Sequence, residues 1–394
     1  MKTILWINPT DRDRRELEVF KQSKAISVIY HSSTAMQTLY KHTVSNPHYA
    51  DIPDASHEIA CLQKILQDIP IDGIISSLDY PGSTYASILA QKNDVPGTPP
   101  ATNLLCQHKY YARTVHEQVA PSVTPEYEMI PYRDIPYCNI SPPCIIRPIL
   151  SSGSLGMHHI RRKEEFATVS HLPPYAYYKP FATILSQYTP YHIDEPYVLA
   201  EAYHTGHQIT TDGYVYNGHI SMLGIVDSHF YAGTHAFRKF SYPSTLPACV
   251  QRRIYDITKT VVCQMGLNNT LFNAEFIYNE EQDTLTLIEI NPRINSQCSD
   301  LYEKVTNINL YQVAIDIASG IKPFIPTEPG IYNHASSIVL RTAKDGFVTD
   351  IPTYAERMRV QEAFPHTKIE IYCAPGKLLS EQRPTQTMHL YSIL

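Results

Sequence analysis

Two apolar runs in the last third of the chain stand either side of a short polar turn: Leu271-Phe272-Asn273-Ala274-Glu275-Phe276-Ile277-Tyr278 and Leu285-Thr286-Leu287-Ile288-Glu289-Ile290-Asn291-Pro292-Arg293. Their alternation predicts an antiparallel hairpin over 271–291. A turn centred near Gln282 sets Glu275 opposite Glu289, and the two-residue period puts Asn291 on the same face as Glu289. Two carboxylates facing each other across a ladder repel, and removal from water sharpens the repulsion. A divalent cation removes that conflict, and carboxylate and amide oxygens suit Mg²⁺ better than zinc. In the alternative reading the hairpin is solvated, its register differs by one or two residues, and the glutamates stand apart.

Composition narrows the class. A chain of 394 residues has the length of two to four domains. With 32 Lys and Arg against 38 Asp and Glu, the net charge of −6 offers no general attraction to phosphate backbones or anionic lipid. Nucleic acid is therefore not an expected partner. A hydrophobic content of 43% is globular, and no run reaches the length of a membrane span, so a soluble protein with no membrane partner is expected. The first apolar stretch, Thr3 to Ile7, is too short for a signal peptide and is followed by Asp11-Arg12-Asp13-Arg14-Arg15-Glu16, which points to a cytoplasmic location. The eight cysteines have no C-x-x-C or His-paired spacing and read as reduced thiols.

Residues 2–8, 25–31 and 71–78 read as strands, with a charged helical stretch between the first two and a helix over 85–91 after the third; such alternation suggests a parallel α/β sheet. No G-x-G-x-x-G follows the first strand, so a dinucleotide site there lacks its phosphate turn. Asp94 to Pro100 is dense in breakers and marks a boundary. Beyond it come a helix over 102–118 with Lys109 and Arg113 four residues apart on one face, strands at 142–148 and 197–200, and a helix over 248–266. Short strands such as 336–341 and 368–372 suggest a small β-rich C-terminal lobe.

A second chemical signal follows the 142–148 strand. Glycine is scarce, 15 residues against a usual frequency of about 7%, yet Gly153 and Gly156 fall together in Ser151-Ser152-Gly153-Ser154-Leu155-Gly156-Met157. Small residues there could let main-chain N–H groups close over an anion, with Lys109 and Arg147 as flanking cations; an ordinary hairpin turn with solvated surface charges is the alternative. His158 and His159, adjacent in a strand, point to opposite faces and read as structural.

In this order the segments resemble the ATP-grasp superfamily over about residues 70–320, and more loosely over the whole chain. His108-Lys109 through Pro125 is similar to the helix carrying the first ATP lysine. Cys144-Ile145-Ile146-Arg147-Pro148 followed by Ser152 to Met157 resembles the "v-i-K-P" strand and its flexible phosphate-covering loop. Glu201-Ala202-Tyr203-His204-Thr205-Gly206 looks like the hinge that holds adenine, and Glu275 with Glu289-Ile290-Asn291-Pro292-Arg293 matches the metal-binding "E-x-N-x-R" segment.

The resemblance implies an α/β chain (α+β within the grasp): an N-terminal parallel α/β domain over 1–103, a two-lobed ATP-grasp over 104–323 (small lobe 104–200, large lobe 201–323) and a β-rich lobe over 324–394. It implies that Lys109 and Arg147 contact ATP phosphates beneath a loop of Ser152, Gly153, Ser154 and Gly156. Glu201, Tyr203 and His204 would line the adenine pocket, with Gln208 at the ribose position. Glu275, Glu289 and Asn291 would hold Mg²⁺, or Mn²⁺ in its place, and Arg293 would bind the substrate carboxylate or stabilise the reacting anion. Two departures stand out: Arg147 replaces the usual second lysine, and Gln208 replaces the usual glutamate.

The activity implied is an ATP-dependent carboxylate-amine ligase working through an acyl phosphate, with small-molecule carboxylate and amine substrates, amino acids expected among them. A homodimer is the ordinary prior for its assembly. A regulatory ATP-binding protein without turnover, or a carboxylating or purine-type ATP-grasp reaction, are the alternatives. The chain has no biotinyl-lysine M-K-M context.

Overall fold

The structure is a computed structural model that describes residues 1–22, 25–33, 54–151, 156–342, 344–379 and 391–392. Ser152, Gly153 and Ser154, three of the four expected phosphate-loop residues, lie outside the described residues. The chain divides into two compact units, one of residues 1–227 with 241–335, the other of residues 228–240 with 336–394.

In the first unit, β1 (Lys2–Ile7), β2 (Ile26–His31) and β3 (Gly73–Ile75) form a parallel sheet in the order β2-β1-β3. The third strand is shorter than expected because the chain leaves the ladder at Ser76 and turns through Leu78-Asp79-Tyr80-Pro81 into the helix Gly82–Lys92. Apolar faces of that helix, of Ala55–Leu66 and of Tyr175–Tyr188 close a core on this sheet, with Leu5, Ile7, Leu62, Tyr85, Phe181 and Leu185 fully buried or nearly so. Burial of such side chains contributes about 1.5–3 kcal/mol each.

The single helix expected over 102–118 is two helices, Pro100–Gln107 and Lys109–Val119. His108 breaks the run: its backbone is extended, at φ −91° and ψ 100°, and its Nδ1 accepts the Tyr111 N–H as an N-cap. Lys109 thereby opens the second helix, with Arg113 one turn further on the same face.

A four-stranded antiparallel sheet follows in the order β4-β7-β5-β6, made of β4 (Tyr127–Pro131), β5 (Cys144–Pro148), β6 (His158–Ile160) and β7 (Tyr197–Ala202). Glu201 faces Ile145 across β5, so Arg147 lies diagonally on the Glu201 face. The larger sheet runs β12-β11-β8-β9, from β8 (His207–Tyr216), β9 (His219–Phe230), β11 (Thr270–Asn279) and β12 (Thr284–Asn291); β10 (Phe237–Tyr242) follows β9 in the chain. Phe272, Ala274, Phe276 and Tyr278 on one face of β11 pack into a core with Val250, Ile254, Val261 and Val262 of the helix Ala248–Met265, leaving Asn273 and Glu275 on the other face. Gly206, at φ +149°, is tightly placed: a Cβ there would lie 2.3 Å from the Tyr278 carbonyl oxygen.

In the second unit, β13 (Ala335–Ile338) and β14 (Arg341–Thr342) account for the strand expected over 336–341, and β14 pairs with β15 (Tyr391–Ser392). No strand forms at 368–372; the unit instead carries a helix, Tyr354–Ala363, started by a capping box between Thr353 and Glu356. Among the described residues no helix is long and apolar enough to cross a membrane.

Candidate functional site

The hairpin is formed, with Glu275 opposite Glu289 and Asn273 opposite Asn291. Its turn is centred half a residue earlier than expected, since Asn279 pairs Thr284 and Phe276 pairs Leu287. A bulge between Glu275 and Phe276 restores the register, so the two glutamates meet through one extra residue on β12. Both glutamates are partly buried. For Glu275, burial first, and then the Glu289 charge, push the carboxyl up to about 8. Glu289 goes the other way. Burial alone would raise it, but Lys109 and Arg147 overcome that and hold it down at about 2. Unaided, then, the face favours a charge on Glu289 and disfavours a second on Glu275.

Cations surround Glu289. Its Oε2 lies 3.5 Å from Lys109 Nζ and 3.4 Å from Arg147 Nη1, and its Oε1 accepts from Asn291 Nδ2 at 3.4 Å. Lys109 Nζ also donates to the Ser151 carbonyl at 2.8 Å, at the point where the expected phosphate loop begins. Gly156, at the far end of that loop, has φ +69°, and a Cβ there would come within 2.8 Å of Pro148 Cγ, so a side chain is excluded on both counts.

Glu201 is 4% exposed and bridges two guanidinium groups. Its Oε1 accepts from Arg113 Nε, and its Oε2 from Arg147 Nε at 2.6 Å. Arg113, fully enclosed, also donates to the Ile288 carbonyl at 2.6 Å and sits 3.0 Å from His116 Nδ1. The Glu201 side chain therefore braces Arg147 and Arg113, and through Arg113 the β12 backbone. Just after it, Ala202 N–H bonds the Glu126 carbonyl and Tyr203 N–H the Pro143 carbonyl. Tyr203 meets His159 edge to face, with centroids 4.9 Å apart, and His204 is partly buried with its pKa lowered by that burial.

Gln208 is turned toward the hairpin, its Nε2 donating to Glu275 Oε2 at 2.9 Å. Arg293 is clamped by Asp79 in a two-point ion pair, Nε to Oδ1 at 2.7 Å and Nη2 to Oδ2 at 3.1 Å. Lys109, Arg147, Glu201, Glu289 and Asn291 are thus linked by direct contacts, and Gln208 joins Glu275. Asp79 was not among the residues singled out from sequence, and Arg113 was noted there only for sharing a helix face with Lys109. The four-residue spacing of Arg113 from Lys109 was a usable signal. For Asp79 the signal was its place just past the carboxyl end of a parallel strand, where ligands approach open α/β sheets.

The donor set fits a hard cation in chemistry. Two carboxylates and an amide share one face, and the raised Glu275 carboxyl reports a charge conflict that a cation would relieve. Among the described residues no group of three or more His, Cys, Asp or Glu side chains is arranged for a metal. A cation here would need further oxygens from a ligand.

A sequence model described as "ATP-grasp domain" matches residues 140–300. No curated protein sequence matches the chain. Among solved structures, an L-amino acid ligase from Bacillus licheniformis superposes with a TM-score of 0.73 at 15% identity, covering 100% of this chain and 93% of that one. A phosphoribosylglycinamide synthetase from Anaerococcus prevotii gives 0.63 at 14% identity over 100% and 93% of the two chains. A biotin carboxylase from Campylobacter jejuni gives 0.62 at 17% identity, over 89% and 80%. At such identities the likeness is one of fold. The chain has the ATP-grasp fold, in which its residues 140–300 match the ATP-grasp domain.

Proposed function

We propose that the protein is an ATP-dependent carboxylate-amine ligase that activates a small-molecule carboxylate, an amino acid in the first instance, as an acyl phosphate. The observation that carries this reading is the Glu275/Glu289 face, ringed by Lys109, Arg147 and Asn291 and set beside an arginine, Arg293. Phosphoryl transfer is largely positioning and charge neutralisation, and no protein nucleophile is needed.

In this reading Glu275, Glu289 and Asn291 hold Mg²⁺ (or Mn²⁺), which when bound supplies charge neutralisation for the ATP phosphates. Lys109 and Arg147 turn from Glu289 to phosphate oxygens, while Glu201 keeps Arg147 from swinging into solvent. Arginine at 147 presents a planar fork in place of a point charge, so it can hold Glu201 through Nε and still offer Nη1. The segment 201–204 meets the base through its main chain and His204, with Tyr203 alongside. Gln208 reaches the ribose, and Ser152, Gly153, Ser154 and Gly156 cover the phosphates and exclude water from an intermediate that would hydrolyse. Arg293 exchanges Asp79 for the substrate carboxylate. The division at 103/104 and 323/324, a cytoplasmic location and a homodimer belong to the same reading.

The test is ADP release by purified protein challenged with pools of amino acids and other carboxylates, followed by mass analysis of condensed products. Release that depends on both a carboxylate and an amine is expected. ATP binding with no stimulation by any pool would favour a regulatory nucleotide-binding protein and sink the ligase.

A further inference from the structure

One buried acid belongs to none of these roles. Asp212 lies on β8, 1% exposed, two residues along from Thr210, which pairs with Glu275. Its own partner across β11 is Asn273, which in turn faces Asn291 on β12. The row Asn291–Asn273–Asp212 therefore runs parallel to the row Glu289–Glu275–Thr210, about 7 Å further along the strands and toward Arg293.

The two oxygens of Asp212 are used unequally. Oδ2 accepts from Tyr302 OH at 2.8 Å and from Asn295 Nδ2 at 3.3 Å. Among the described residues, Oδ1 has no hydrogen-bond partner, and neither has Asn273 Nδ2 on the facing strand. A buried carboxylate oxygen left unmatched is costly, and strain, a catalytic role, or a bound ion or water accounts for such a group where one persists. Around Asp212 stand Tyr302 on the helix Ser299–Thr306, Tyr242 on β10, Tyr255 on the helix Ala248–Met265 and Cys298; Arg293 is the cation that favours its ionised form. Burial outweighs that help and brings the carboxyl up to about 7.

An amine substrate arrives mainly as its ammonium, which cannot attack until it loses a proton. We propose that Asp212 is the proton acceptor for the attacking amine, with Oδ1 facing the nitrogen and Asn273 Nδ2 helping to orient the substrate beside it. This rests on the ligase reading. One ammonium proton passes to Asp212 Oδ1, and the nitrogen lone pair then bonds to the acyl carbon. The carbon–oxygen bond to phosphate breaks with its electron pair leaving on phosphate, the second nitrogen proton leaves with that phosphate, and Asp212 returns its proton to solvent.

Hydroxylamine is largely unprotonated at neutral pH and intercepts acyl phosphates without a proton acceptor, so it separates this role from a bracing one. In Asp212→Asn, nearly isosteric, the ratio of amide to hydroxamate formed should fall by roughly a hundredfold or more relative to the parent protein. Circular dichroism and the unfolding midpoint check the fold, and Asp212→Ser, with the same expected ratio, stands in if the first variant does not fold. Loss of amide and hydroxamate in equal measure, or of neither, overturns the inference and leaves Asp212 as a brace for residues 293–302. A parent protein that forms no hydroxamate from any carboxylate overturns the ligase reading itself, and the inference with it.

Discussion

Glu289→Gln is expected to reduce ADP release by about a thousandfold or more, because a lost metal carboxylate removes several kcal/mol of charge stabilisation at tenfold per 1.36 kcal/mol. Glu289 is the point at which Lys109, Arg147 and Asn291 converge, and those cations hold its carboxyl at about 2. Glutamine keeps the shape and the Asn291 contact but cannot carry the charge. The fold should survive, since Arg147 retains Glu201 and Lys109 retains the Ser151 carbonyl. Losing the Glu289 charge also removes the repulsion that helps keep Glu275 protonated, so Glu275 should ionise at lower pH in the variant. Steady-state ADP release, with the unfolding midpoint as a control, checks this. Activity within tenfold of the parent would contradict the assignment of Glu289.

Glu201→Ala should lower the unfolding free energy by roughly 3–5 kcal/mol, the usual cost of stripping one partner from a buried ion pair. Arg113 would keep the Ile288 carbonyl, His116 and the Glu289 charge beyond them, in a site where its side chain is 3% exposed. The effect is a matter of the orphaned cation rather than of the pair's net worth. Replacing Glu201 and Arg113 together by apolar residues of similar volume should therefore cost less than Glu201→Ala alone. Urea unfolding at unchanged slope measures both. A loss below about 1 kcal/mol for Glu201→Ala, in the range of exposed pairs, would show that the network bears little on stability.

Much of this was legible in the chain. The hairpin could be read because its apolar face is strictly alternating, and because Glu275 and Glu289 are few enough residues apart that a single turn sets their register. Even so, the bulge beside Phe276 was invisible, since a bulge adds one residue without leaving a pattern. The break at His108 was missed for a related reason: histidine is no helix breaker by propensity, and only its capping contact to Tyr111 reveals the boundary. Asp79, Arg113 and Asp212 lie 214, 88 and 90 residues from Arg293, Glu201 and Tyr302, the partners that define them, and no local pattern reports such distances. Several of the chain's 29 tyrosines pack against other aromatic rings. Tyr132 and Tyr178 share a hydroxyl contact at 2.6 Å, Tyr111 stacks on Tyr191 at 3.8 Å, and Tyr80, Tyr85 and Phe181 pack edge to face.

The central claim is that a substrate carboxylate is phosphorylated in this site, and oxygen transfer tests it most directly. With a carboxylate substrate labelled with oxygen-18, attack on the γ-phosphorus carries one labelled oxygen into the phosphate released. Mass analysis of that phosphate should find the label in proportion to amide formed. Condensed product accompanied by unlabelled phosphate would contradict the acyl-phosphate route.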